Sequence, residues 1–260
     1  METVAWNMNH RTHSWHALAE LDADLALLSE ARVPKRLGIS AQGGKRTEGR
    51  DGYRRPWAAA IVSKHELRPI DDARASRQGK PLDLPFETPR PGTWEAALVA
   101  REGHEAITAV SLYGLLDEKS DASVHRSLSE LTPIFEDPRY NKLLLLGGDF
   151  NIWTGRSVPG APHLDRHQVV LERIKAFGLI DCLLAKRPRG PLQGCLCQLG
   201  EGCPHIWTKV DPRYPGVPYQ DDYLFASPGL AERLRRCVAL NPTEWSAHSD
   251  HSPIVATFED

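Results

Sequence analysis

Short apolar runs recur along this chain without polar alternation, and each gives way to an acidic, amide or hydroxyl side chain. The clearest is residues 143–152, LLLLGGDFNI. Four successive leucines read as a strand buried on both faces. Gly147 and Gly148 then let the backbone turn and approach another element closely. Asp149 and Asn151 stand at i and i+2, so in extended chain they point the same way. A carboxylate at the end of a buried strand is costly unless paired or used. The competing reading of this GDxN is an ordinary turn, since Gly-Asp and Asn also make turns.

The same grammar runs through the rest of the chain. Residues 2–7 alternate and end in Trp-Asn, which suits a strand. Helical spacing of Trp15, Leu18 and Leu21 predicts a helix over 14–21, with Ser14 as its N-cap. Residues 24–29 form a second buried strand with Glu30 at its mouth. Residues 32–55 read as a basic loop, 58–63 as a strand, and 71–93 as a Pro- and Arg-rich connection. Two strands over 95–101 and 106–113 meet at Glu102-Gly103. Amphipathic helices follow over 121–135 and 166–177, with a short apolar segment at 179–184. Strands are predicted over 219–227, carrying Asp221 and Asp222, over 234–240, and over 254–258 directly after Ser249-Asp250-His251-Ser252. Strands and helices alternate without a linker or internal repeat, so the expectation is one α/β domain across 1–260.

Composition narrows the class. A chain of 260 residues, 41% hydrophobic and 25% charged, has ordinary globular character and room for one large domain or two small ones. No apolar run approaches the roughly 18 residues of a membrane span, and METVAWN has neither the basic nor the apolar stretch of a signal peptide. Five cysteines, an odd number, argue against a disulfide framework and for the cytosol. Net charge is −2, so any polyanion contact would be local rather than a global field. Lys35, Arg36, Lys45, Arg46, Arg54 and Arg55, with glycines between them, read either as a solvated loop or as a phosphate-tracking rim.

Polar residues stand where buried strands run out: Asn7, Glu30, Tyr113, Asp149 with Asn151, Asp222, and Asp250 with His251. Binding and catalytic groups concentrate at such positions on a rigid scaffold. If the ends converge, hard oxygen ligands of this kind suit Mg²⁺, Mn²⁺ or Ca²⁺ rather than zinc. A histidine with a carboxylate partner suits an imidazole oriented beside a reacting phosphate.

WNMNH at 6–10, LLSEA at 27–31, SLYG at 111–114, GGDFN at 147–151, QDDYLFAS at 220–227 and SDHSP at 249–253 appear in order. With these six motifs the chain resembles the endonuclease/exonuclease/phosphatase superfamily, the DNase I-like fold of the exonuclease III-type abasic-site endonucleases. The resemblance spans the chain. It implies a four-layer α/β sandwich, two packed mixed β-sheets flanked by helices, and a Mg²⁺- or Mn²⁺-dependent phosphoester hydrolase. Glu30 resembles the metal-binding glutamate, assisted by Asn7 and Asp250. His251 resembles the histidine that contacts the scissile phosphate, and Asp222 the aspartate that orients it; a one-residue shift would give that part to Asp221. Asp149 resembles the residue that positions or deprotonates the attacking water, Asn151 its hydrogen-bonding partner, and Tyr113 the tyrosine that donates to the phosphate. Two positions depart from the pattern: Asn9 stands where the abasic endonucleases place an aspartate, and QDD replaces the more usual R-[IL]-D.

A second constellation, Cys195-x-Cys197-x₅-Cys203-x-His205, could supply a closed tetrahedral zinc site, or be a Cys-rich surface loop. Cys182 and Cys237, in apolar segments, read as core; His10, His13, His16 and His104 read as surface. Trp153 and Trp207 read as packing residues or as platforms for a base or sugar. The leading expectation for function is a nuclease acting on DNA more than RNA, with a protein partner supplying targeting. The alternatives are hydrolysis of small-molecule or lipid-headgroup phosphoesters, and a catalytically silent binding subunit.

Overall fold

The computed structural model describes residues 1–48, 54–70, 87–116, 120–152, 164–187, 206–210 and 220–260. Strand β1 (Glu2–Asn7) pairs in parallel with β2 (Leu25–Ala31), with Asn7 opposite Ser29, and antiparallel with β14 (Ile254–Phe258). Beyond them lie β13 (Leu234–Ala239) on one side, and β6 (Ala58–Ser63) then β3 (Ser40–Gly43) on the other. The second sheet centres on β10 (Leu144–Asp149), parallel to β9 (Ile107–Tyr113) and antiparallel to β12 (Asp222–Ala226). Its edges are β8 (Trp94–Ala100) with β7 (Glu66–Pro69), and β11 (Ile180–Asp181). The register sets Asp149 opposite both Tyr113 and Asp222. The C-terminal ends of β1, β2, β9 and β10 and the starts of β12 and β14 therefore share one edge of the sandwich.

Every residue of β6, β9, β10 and β12 is buried, the two-sided burial that unbroken apolar runs predict. Ala5, Leu27, Ala109, Leu145, Leu224 and Ile254 fill the space between the sheets. A Cβ at Gly147 would lie 2.9 Å from Leu224, 3.1 Å from Leu27 and 3.2 Å from Ala5, so the glycine lets the sheets close up beside the site. Helices α2 (Ser120–Glu136) and α4 (Leu164–Ala176) cover the outer face of the second sheet, burying Leu128, Leu131, Val170 and Ile174 on Val110 and Leu112. Helix α1 (Ser14–Glu20) sets Ala17 and Leu18 on the outer face of the first. The result is helix, sheet, sheet, helix: the four-layer α/β sandwich expected. No helix among the described residues is long and apolar enough to cross a membrane.

Several local expectations are corrected. Ser14 does not cap α1; His13 holds the N-cap position without a side-chain bond, and the buried Ser14 hydroxyl donates to the carbonyl of His248 at 2.7 Å. The basic segment is not all loop. It contributes β3 and a small ribbon of β4 (Thr47–Glu48) with β5 (Arg54–Arg55). Strand β2 continues past Ser29 through a bulge at which Glu30 adopts φ +47°. The chain does not turn at Gly147-Gly148 but stays in the ladder to Asp149 and turns afterwards. Short α3 (Pro138–Asn141), α5 (Cys182–Lys186), α6 (Pro228–Ala231) and α7 (Pro242–Trp245) are too brief to impose a helical period on the sequence.

Candidate active site

Asp149, the last residue of β10, is almost completely buried. Its Oδ2 accepts from Asn7 Nδ2 at 2.7 Å and from Asn151 Nδ2 at 3.0 Å, and its Oδ1 from the Asn151 amide at 2.8 Å. Asp149 and Asn151 therefore face each other across a tight turn, with Asn151 at φ +50°, rather than projecting in parallel from an extended chain. The turn reading of GDxN is seen as a side-chain-closed turn, in which the buried carboxylate is paired by the amides of Asn7 and Asn151. Burial pushes the Asp149 carboxyl up to about 7, against the pull of the His251 charge.

His251 precedes β14 and is buried at 3% exposure. Its Nδ1–H donates to Asp222 Oδ2 at 2.8 Å, which leaves Nε2 facing Asp149 Oδ2 across 3.9 Å. Burial alone would lower the histidine's pKa, but the Asp222 and Asp149 carboxylates outweigh it and hold the ring at about 9. The imidazole is therefore charged at neutral pH. Asp222 rather than Asp221 orients it. Asp221 turns the other way, into a 2.9 Å ion pair with Lys209 Nζ. Thr208 Oγ1 accepts from the amides of Asp221 and Asp222, at 3.2 and 3.3 Å, and so fixes this divergence. Burial disfavours charge on Lys209, yet Asp221 and Asp149 raise its pKa, so it remains a cation inside the site.

Glu30 stands at the shallow side. Its Oε1 accepts from Tyr113 OH at 2.9 Å and from Asn7 Nδ2 at 3.3 Å; its Oε2 lies 3.4 Å from His10 Nδ1. Burial and the Glu30 and Asp149 charges raise the Tyr113 hydroxyl well above its usual range, so it serves as a donor. Asn9 links this side to Asp250: its amide N–H donates to Asn7 Oδ1 and its Nδ2 to Asp250 Oδ1, at 2.8 and 2.7 Å. Non-glycine residues with positive φ among the described residues are Asn9, His10, Glu30, Asn151 and, away from this edge, Asp22. Backbone held in that disfavoured region costs on the order of 1–3 kcal/mol per residue. It is concentrated where these side chains converge.

The two sheets are clipped together beneath the site. Ser29 Oγ, from the first sheet, accepts the Asp149 amide at 2.9 Å and donates to Leu112 O at 3.1 Å. Ser111 Oγ returns the bond from the second sheet to Leu28 O at 2.8 Å.

The cluster joins five carboxylates (Glu30, Asp149, Asp221, Asp222 and Asp250) to two internal cations, Lys209 and His251. Asp222 Oδ1 and Asp221 Oδ1 are buried with no hydrogen-bond partner among the described residues. This excess of negative charge and hard oxygen donors fits a divalent cation. Asp149, Asp222 and His251 also offer ligand atoms within 4.8 Å of one another.

Most of the residues singled out in the sequence meet here: Asn7, Glu30, Tyr113, Asp149, Asn151, Asp222, Asp250 and His251. Arg55 reaches the site's margin, where its charge acts on Tyr113. Lys45 and Arg46 line a separate cavity of about 630 Å³ beside Gln42 and Glu95, whose carboxyl burial pushes up to about 7. Lys35, Arg36 and Arg54 are exposed. Trp153, Cys195, Cys197, Cys203 and His205 lie outside the described residues. Cys182 and Cys237 are buried thiols, as expected. Sequence reasoning missed Lys209 and the two serines; it noted Asn9 only as a departure and read His10 as surface, where its side chain is 46% exposed. The one available signal was the first aspartate of QDD, Asp221, a buried charge beside the start of β12 that needed a cation.

Edge, sheets and layers together are the DNase I-like fold of the endonuclease/exonuclease/phosphatase proteins. No family model matches the chain and no curated protein matches it; the likeness is to solved structures. An AP endonuclease from Archaeoglobus fulgidus superposes with a TM-score of 0.64 at 19% identity, covering 100% of both chains. The catalytic domain of Xenopus laevis APE2 does so with 0.66 at 15%, over 99% of this chain and 91% of that one. The 3′ phosphatase NExo from Neisseria, bound to product DNA hairpin, gives 0.62 at 18%, over 100% of both.

Proposed function

We propose that this chain is a divalent-metal-dependent nuclease, hydrolysing DNA, or RNA, phosphodiester bonds by in-line attack of an activated water. The carrying observation is the 3.9 Å space between His251 Nε2 and Asp149 Oδ2, a charged imidazole facing a carboxylate at the shared strand edge. In-line displacement at phosphorus needs one group to orient and deprotonate the nucleophile, and another to meet the charge that develops on the phosphate. Asp149, steered by Asn7 and Asn151, suits the first task. His251, kept charged by Asp222, suits the second. Lys209 and Arg55 add positive charge to the same region. A divalent cation on Glu30, with Asp250 and Asn7 beside it, would supply further neutralisation. A nucleic-acid substrate is favoured by the AP endonucleases and the DNA-bound 3′ phosphatase that share the fold. The basic residues 35, 36, 45, 46, 54 and 55 then form a phosphate-tracking rim, and a protein partner supplies targeting in the cytosol.

The test is cleavage of labelled single- and double-stranded DNA and RNA, and of DNA ending in a 3′-phosphate, with Mg²⁺, Mn²⁺ or EDTA. Metal-dependent hydrolysis lost in His251→Ala and Asp149→Asn is expected. Folded, metal-loaded protein that leaves every nucleic acid intact overturns the reading. Turnover of soluble phosphoesters in its place would make this a small-molecule phosphoesterase.

A further inference from the structure

We propose that His10 is itself a ligand of the divalent cation at Glu30, giving a mixed nitrogen and oxygen centre that prefers Mn²⁺ to Mg²⁺. The inference rests on the metal-dependent reading above and extends it to a residue that reading does not use.

Distance is the first argument. His10 Nδ1 stands 3.4 Å from Glu30 Oε2, longer than a well-formed N–H···O bond. Two neighbouring ligands, each roughly 2.1 Å from a shared ion, lie roughly 3 Å apart. The pair therefore has nearly the spacing of co-ligands and a poor spacing for a bond of its own. Backbone conformation is the second argument. Asn9 and His10 both sit at φ +46°, a region non-glycine residues rarely enter. The Asn9 amide donates to Asn7 Oδ1 and the His10 amide to Glu30 O at 2.9 Å, so this turn is tied to the site's own residues. An exposed histidine with no task would not need such a backbone.

Ring orientation is the third. The imidazole stacks on Trp57 at 4.3 Å between centroids and 17° between planes, which keeps Nδ1 turned toward Glu30. At 46% exposure the side chain is also open to an ion arriving from solvent. Imidazole nitrogen is a poor donor to Mg²⁺ and is accepted better by first-row transition ions, with Mn²⁺ at the weak end of that series, so the donor set predicts a preference for Mn²⁺ over Mg²⁺.

The probe is Mn²⁺ bound to the full chain, read by electron spin echo envelope modulation, with Mn²⁺ and Mg²⁺ affinities measured by calorimetry. Wild-type protein should show ¹⁴N modulation at the bound ion. His10→Ala and His10→Gly should lose it, and His251→Ala should keep it. His10→Gly suits the positive φ and so guards against misfolding. Both His10 variants should bind Mn²⁺ about 10- to 100-fold more weakly, with Mg²⁺ affinity nearly unchanged. Mn²⁺ bound without ¹⁴N modulation overturns the inference and leaves the metal-dependent reading standing. Modulation that survives in the His10 variants and vanishes in His251→Ala overturns it too, moving the ion to the Asp149, Asp222 and His251 cluster. Failure to bind Mn²⁺ at all overturns both.

Discussion

The deep and shallow halves of the site are built differently. In the deep half, Asp149, Asp222 and His251 are buried to 3% exposure or less and are held by one another and by asparagine amides. In the shallow half, Glu30 and His10 are partly open, meet at 3.4 Å, and sit on backbone with positive φ. Charges that are fixed in a water-poor setting are ready before substrate arrives, because no reorganisation is needed when charge develops. Loosely satisfied oxygen and nitrogen donors at an open edge suit something that exchanges. Under the proposed function, the deep half suits proton and charge chemistry and the shallow half an incoming ion.

The contrast breaks most visibly in the deep half. His251→Ala and Asp149→Asn should each lower turnover by about 10²–10⁴-fold, measured as initial rates of phosphodiester hydrolysis at saturating metal. Glu30→Gln should instead be partly recovered by raising Mn²⁺, a rescue that neither deep variant should show. Equal metal rescue of all three would erase the distinction.

Next in size is the Lys209–Asp221 pair. Lys209→Met leaves a buried, unpaired carboxylate and should destabilise the protein by about 3 kcal/mol or more in urea unfolding. Lys209→Met combined with Asp221→Leu should recover most of that loss. Ser29→Ala strips the Asp149 amide and Leu112 carbonyl of a partner, at about 1–3 kcal/mol. Its unfolding midpoint should fall while Mn²⁺ affinity stays within a few-fold.

The smallest expected change is in pH response. His251 is raised to about 9, so its charge is present below that pH and lost above it. Activity that needs the imidazolium should decline as pH rises through about 9. In Asp222→Asn, the pH–rate profile should show this decline moved toward the ordinary histidine range. An alkaline limb that stays put in Asp222→Asn would assign it to another group.

The layers were legible because a two-sheet sandwich buries both faces of its central strands, so β6, β10 and β12 announce themselves as unbroken apolar runs. The candidate site was legible for a related reason: a polar side chain at the end of such a run is costly unless paired or used. What stayed hidden depends on pairings distant in sequence or on backbone angles. Lys209 gains meaning only when Asp221 folds against it. His10 read as surface because neither its positive φ nor its stack on Trp57 leaves a trace in periodicity. Strands β3, β4, β5 and β7 are too short and too polar for their pattern to exceed that of loops. The Asx closure of Asp149 on Asn151 was half visible, as the turn reading of the same four letters.

The Trp6 indole donates to the carbonyl of His251, and the Ser249 hydroxyl to the carbonyl of Asn7, at 2.9 and 2.8 Å. These bonds tie the first strand to the approach of the last, across separations of 245 and 242 residues. Contacts of that separation are expensive to close and form late, because loop entropy is lost before packing compensates for it. In a refolding experiment, hydrolytic activity should therefore return with the slowest phase, after helical signal has recovered. A partly folded chain would carry the whole catalytic inventory and remain inert.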